Sequence, residues 1–173
     1  MKNLRIIYLF IIGIFFFLSC NSQLNKDKND LTNGYYYIIS VHSGKYLEVP
    51  DNSMEDNIPL IQNSASKQAR QQWSFQKNKE NFYFIRSRMS SKYIDVLGCS
   101  SEDKKFIVQY KKTGNHCQQW TLKHFGDYYI FVSRTSSKCI DIPGKSKDDG
   151  VNLIQFTENK GLNQCWFIKP IEK

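Results

Sequence analysis

Polarity changes sharply along the chain. Ile6–Leu18 is an uncharged run of 13 residues. As a helix it would reach roughly 20 Å, short of the roughly 30 Å of a bilayer core. Asn21–Asn33 (NSQLNKDKNDLTN) carries almost no apolar side chain and reads as a tether. From Gly34 onward, short apolar runs such as Tyr35–Val41, Tyr46–Val49, Pro59–Gln62 and Trp73–Phe75 are broken by turn residues. In Tyr93-Ile94-Asp95-Val96, Ile94 and Val96 share one face and Tyr93 and Asp95 the other, which is the period of a strand. Aromatic and β-branched residues dominate, and no amphipathic stretch reaches helical length. The pattern predicts an all-β domain.

That domain repeats itself. Trp73, Trp120 and Trp166 are 47 and 46 residues apart. Gln71, Gln118 and Gln164 precede them by two places, and Glu48, Asp95, Asp141 and Gln62, Gln109, Gln155 keep the same register. SRMSSKYIDVLGCS from Ser87 and SRTSSKCIDIPGKS from Ser133 agree in sequence as well. About four strands per copy gives about twelve in all. One copy cannot bury its own apolar face, so three must close on a common core.

Three copies, each with an (Ile/Leu)-(Asp/Glu)-Val-like run and a closing Gln-x-Trp, resemble the ricin-type β-trefoil lectin family over residues 34–170. The resemblance implies a six-stranded barrel capped by three hairpins with pseudo-threefold symmetry. It also implies noncatalytic carbohydrate binding. Trp73, Trp120 and Trp166 are read as core pillars, each indole N–H needing a partner.

A sugar offers adjacent hydroxyls and one relatively apolar face. A carboxylate takes the hydroxyls, an aromatic ring lies under the apolar face, and an amide donates and accepts. In lectins of this type these groups are the Asp of the Ile-Asp-Val run, an aromatic eight residues before the Gln of Gln-x-Trp, and an Asn just before that Gln. The third copy has the full set in Asp141, Phe156, Asn163 and Gln164. The second has Asp95, Tyr110 and Gln118, with Cys117 in place of the Asn. The first has Glu48, Asn63, Arg70 and Gln71, lacks the platform and the Asn, and is expected only to support the barrel.

Met1–Arg5 is a short basic segment, and the apolar run ends Phe17-Leu18-Ser19-Cys20. This ending resembles the lipobox of bacterial lipoproteins, although Phe17 stands where Leu is usual. The reading assigns 1–19 to a signal peptide, 20–33 to a tether and Cys20 to lipid attachment. Asn21 is not Asp, so by analogy with lipoprotein sorting the expected location is the outer membrane of the cell envelope.

The formal charge is +8, and +6 without Lys2 and Arg5. Lys and Arg are scattered, with no aromatic interleaving of a single-stranded groove, so no nucleic-acid partner is expected. The expectation is a monomer whose partners are glycans and, through its anchor, a membrane. Cys99, Cys117, Cys139 and Cys165 have no zinc spacing; neither metal nor cofactor is expected. An exported chain permits disulfides, and four Cys allow three connectivities; Cys99–Cys117 with Cys139–Cys165, each closing one repeat, is the favoured pairing, and free thiols are the alternative.

His42, His116 and His124 share no register, and no nucleophile elbow, phosphate loop or His-Glu-x-x-His motif occurs. The acids related by the pseudo-threefold should sit far apart, so no catalytic role is expected. The alternative to sugar binding is a trefoil scaffold that binds or inhibits a protein at the envelope.

Overall fold

The computed structural model describes residues 31–172; the signal segment, Cys20 and the tether up to residue 30 lie outside them. Six strands form a closed ring: β1 (Tyr36–Ser40), β5 (Gln72–Lys77), β6 (Tyr83–Ser87), β9 (Trp120–Phe125), β10 (Tyr128–Ser133) and β14 (Trp166–Pro170). β1 pairs with β5 and β14, β5 with β6, β6 with β9, β9 with β10, and β10 with β14. Closure leaves no barrel edge open to another chain.

Three hairpins cap the ring. They are β2 (Tyr46–Glu48) with β4 (Ile61–Asn63), β7 (Tyr93–Val96) with β8 (Ile107–Tyr110), and β11 (Cys139–Asp141) with β13 (Ile154–Phe156). A six-stranded barrel with three hairpins in threefold register is a β-trefoil, as the family resemblance implied. Two strands exceed the expected twelve: β3 (Ile58–Pro59) and β12 (Val151–Asn152). β3 pairs with β8 and β12 with β4, each across a repeat boundary. The third such contact is a single bridge between Phe106 and Ile154. Two-residue strands leave no period in the sequence, and only the neighbouring repeat induces them.

Trp73, Trp120 and Trp166 are at most 1% exposed. Their indole N–H groups donate to the carbonyls of Leu47, Ile94 and Ile140 at 3.0, 3.2 and 3.4 Å. Each acceptor immediately precedes the acid of its repeat. The core Trp therefore anchors the strand that carries the site carboxylate. Truncating one to Ala would cost about 3–5 kcal/mol.

A polar ring joins the repeats to one another. Gln62 Nε2 donates to the carbonyls of Ser146 and Asp148, Gln109 Nε2 to those of Ser53 and Glu55, and Gln155 Nε2 to those of Ser100 and Glu102. Lys45, Lys92 and Lys138 pair with Asp149, Asp56 and Asp103 in the same cyclic order. Each link runs from one repeat to the loop of the preceding one, and the third returns to the first.

Cys99 and Cys117 are disulfide-bonded, as expected. Cys139 and Cys165 are not: both are buried free thiols packed with Ile130. The Cys165 thiol is directed at the carbonyl of Gly161, 3.6 Å away. Its equivalents Gln72 and Gln119 accept from Arg88 and Arg134 at 2.6 Å. At the third boundary the Arg position is Val41, which packs against the same apolar cluster. Cys165 is thus the apolar counterpart of a Gln–Arg pair, and burial pushes the Cys139 thiol up to about 12.

Candidate functional site

In every repeat the acid lies at the end of the first hairpin strand or one residue before it, and a one-turn 3₁₀ segment follows: Pro50–Asn52, Leu97–Cys99 and Pro143–Lys145. A second 3₁₀ turn brings up the Gln: Ala69–Gln71, His116–Gln118 and Leu162–Gln164. The Gln amide then joins the two segments. In the third repeat Gln164 Nε2 donates to Asp141 Oδ2 at 2.7 Å and to the Thr157 carbonyl, while its Oε1 accepts from the Asn159 N–H. Gln118 does the same with Asp95 at 2.8 Å and Gln71 with Glu48 at 2.6 Å. All three Gln side chains are fully buried. Gln164 and Gln118, expected among the sugar contacts, therefore position the carboxylates.

A cavity of about 670 Å³ is lined by Asp141, Phe156 and Asn163, so the expected acid, platform and amide do meet. Asn163 Nδ2 donates to Asp141 Oδ2 at 2.9 Å and to the Ile142 carbonyl at 3.3 Å. Its Oδ1 is buried without a hydrogen-bond partner. Both internal donors use the same carboxylate oxygen, and Asp141 Oδ1 takes no hydrogen bond from any described residue. Burial raises the Asp141 pKa above 3.8, against the lowering pull of the Gln164 and Asn163 hydrogen bonds.

Gly161 makes this arrangement possible. A Cβ there would lie 2.4 Å from Asn163 Oδ1 and 2.7 Å from Asn159 Oδ1. The equivalent positions are Gln68 and Asn115, in the two repeats without the Asn. Gly144 supplies the left-handed turn (φ 63°) that follows the acid, and Lys145 continues it at φ 53°. His42, from the first repeat, pins that turn with Nε2 2.7 Å from the Lys145 carbonyl oxygen.

The second-repeat cavity is smaller, about 410 Å³, and is lined by Asp95, Tyr110 and the Cys99–Cys117 pair among others. Cys117 occupies the Asn163 position and Cys99 the Lys145 position. The disulfide thus forms part of the wall where the third repeat carries its amide. Burial raises the Asp95 pKa as well, opposed by the Gln118 hydrogen bond.

In the first repeat the acid is spent on its own chain. Glu48 Oε2 accepts from Gln71, and Oε1 accepts from Asn63 at 3.1 Å and faces Arg70 Nε at 3.4 Å. Both carboxylate oxygens of Glu48 thus face partners within its own repeat.

Lys104, Phe106 and Lys145 are among the lining residues of the third cavity that were not anticipated. Lys104 and Phe106 belong to the second repeat, so a copy-by-copy reading could not place them. The available signal was Phe106 standing where the other copies have Pro59 and Asn152.

The fold and these cavities define a β-trefoil of lectin type. The sequence matches the model of the ricin-type beta-trefoil lectin domain-like family over residues 21–110 and 116–173, and the chain belongs to that family. No curated protein is similar enough to count as a relative. Among solved structures, the designed threefold-symmetric protein ThreeFoil is 36% identical, with a TM-score of 0.78 over 80% of this chain and 100% of its own.

An exo-beta-1,3-galactanase from Clostridium thermocellum is 28% identical with a TM-score of 0.78. The match takes in 80% of this chain but only 30% of the enzyme. The Macrolepiota procera ricin B-like lectin, solved with lactose, shares the fold at 17% identity with a TM-score of 0.71, covering 81% of this chain and 97% of its own.

Proposed function

We propose that the protein binds carbohydrate without catalysis, chiefly in the third-repeat cavity and secondarily around Asp95 and Tyr110. The observation that carries this reading is the free Oδ1 of Asp141, whose other oxygen, Oδ2, is held by two buried amides, in a cavity that Phe156 also lines. Oδ1 accepts a sugar hydroxyl and Phe156 stacks on the apolar sugar face. The crystallised complex of the Macrolepiota procera lectin with lactose supports the ligand class. Asp141 is the single carboxylate among the residues lining the third-repeat cavity, and Asp95 among those lining the second, which supports a binding role over a glycosidase pair.

The reading extends to the cell. Cys20, at the end of the lipobox-like Phe17-Leu18-Ser19-Cys20, attaches the domain to lipid at the bacterial outer membrane through the 20–33 tether. A shallow site of millimolar affinity is worth only about −4 kcal/mol. Display of many copies on a membrane raises avidity with no new contact.

A glycan array followed by titration of the best ligand tests the proposal, with Asp141→Asn as the variant. Asn keeps an acceptor for Gln164 but removes the charge. Binding should fall at least about tenfold, with the melting temperature nearly unchanged. An array without any glycan signal, or binding that free sugar does not compete, would leave a protein-binding scaffold as the reading.

A further inference from the structure

The third-repeat cavity is longer than one sugar ring needs, and its far end differs chemically from its acidic floor. Asp141 on β11 lies opposite Ile154 on β13, and Ile154 is bridged in turn to Phe106 of the second repeat. Directly opposed residues project to the same face, and all three line the cavity. With strands about 4.8 Å apart, the row from Asp141 to Phe106 covers roughly 10 Å. That is about the span of two linked pyranose rings.

The threefold provides an internal control. The matching row in the second site is Asp95, Val108, Pro59, and in the first it is Glu48, Ile61, Asn152. Only the third row ends in an aromatic, and Phe106 is 39% exposed. An exposed Phe at the end of a cavity is a second stacking platform facing away from the first sugar.

Cations also line the cavity, Lys145 four residues after Asp141 and Lys104 two residues before Phe106. Lys104 and Lys145 line the cavity, and neither forms an ion pair among the described residues. The residues matching Lys104 are Asn57 and Gly150, and those matching Lys145 are Asn52 and Cys99. Asp103, the acid next to Lys104, is already paired with Lys138 at 2.8 Å. Asp141 repels an anion at the floor, so an acidic group fits only beyond the first ring, beside Lys104.

The geometry points to a two-subsite cavity: a neutral sugar on Asp141 and Phe156, followed by a sugar that bears a carboxylate or sulfate, on Phe106 and Lys104. Phe106 and Lys104 are specificity residues lent by the second repeat to the site of the third. This extends the carbohydrate reading above and rests on it.

The test uses matched neutral, uronic-acid-bearing and sulfated forms of the same disaccharides, with each parent monosaccharide, titrated into the protein at low and high salt. The acidic forms should bind about fivefold more tightly at low salt, and salt should erase the difference. Lys104→Asn installs the residue of the first repeat, which also tolerates the left-handed backbone at that position (φ 65°). It should remove the preference and leave neutral binding intact. Phe106→Ala should weaken disaccharides and leave monosaccharides unchanged.

Preference for the uronate or for the sulfate identifies which anion is taken, and either supports the assignment. Equal binding of neutral and acidic forms, unmoved by Lys104→Asn, overturns it and leaves sugar binding standing. Binding of none of the sugars overturns both.

Discussion

Gln164 Nε2 and Asp141 Oδ2 are 2.7 Å apart, and both side chains are buried. A signature residue of the repeat thus spends its amide on holding a carboxylate rather than on meeting a ligand. The same bond recurs at Gln118–Asp95 and Gln71–Glu48, so one device serves three repeats whether or not the site stays open.

Sugar binding and folding should respond to acid at different pH. Burial raises the Asp141 pKa, so its carboxylate is lost at a pH above the ordinary 3.8, and hydroxyl binding weakens there. Protonation of a group with a raised folded pKa relieves strain and does not destabilise the fold. The Lys pairs hold Asp56, Asp103 and Asp149 below 3.8. Their stabilisation is present above 3.8 and lost as pH falls through their lowered values. Titrating glycan affinity and melting temperature against pH should show binding lost first, with the fold intact. Coincident loss of both would refute the assignment.

Gly161→Ala should disable the third site selectively. Its Cβ would stand 2.4 Å from Asn163 Oδ1, so the amide must swing away from Asp141. Losing that hydrogen bond should cost about tenfold in glycan affinity. Overpacking at the loop should cost about 1 kcal/mol of stability. Titration and urea unfolding of the variant measure the two effects separately. Unchanged affinity would mean that the Asn163 amide does not support the site.

The inter-repeat Gln ring predicts three matching losses. Gln62, Gln109 and Gln155 are fully buried, and each serves two carbonyls of a neighbouring loop. Replacing any one by Ala should cost about 2–3 kcal/mol in urea unfolding. Values that differ strongly among the three would show that the ring does not act as a symmetric clamp.

The barrel was legible because its causes repeat. Trp, Gln and acid recur at one spacing, and a buried Trp with a hydrogen-bonded indole demands the same surroundings each time. The register of Gln62, Gln109 and Gln155 was visible too, but their task was not, since their acceptors are backbone carbonyls of another repeat. Backbone acceptors carry no residue identity, so no spacing in the chain reports them.

The site divides along the same line. The residue types at Asp141, Phe156 and Asn163, and the weakness of the first repeat, could be read from position within a copy. What became of the cysteines could not. Cys99 and Cys117 bond in the wall of a cavity, while Cys165 faces Gly161 beside Ile130 and Val41, and that choice depends on where each thiol points. Nor could the far wall of the third cavity be read, because Phe106 and Lys104 reach it through backbone pairing of their segment with Leu153, Ile154 and Gln155 of the third repeat. Repetition along the chain sets the fold and the chemistry within each unit. Contacts between units exist only after the ring closes, and they decide which site is long, which is walled by sulfur and which is filled.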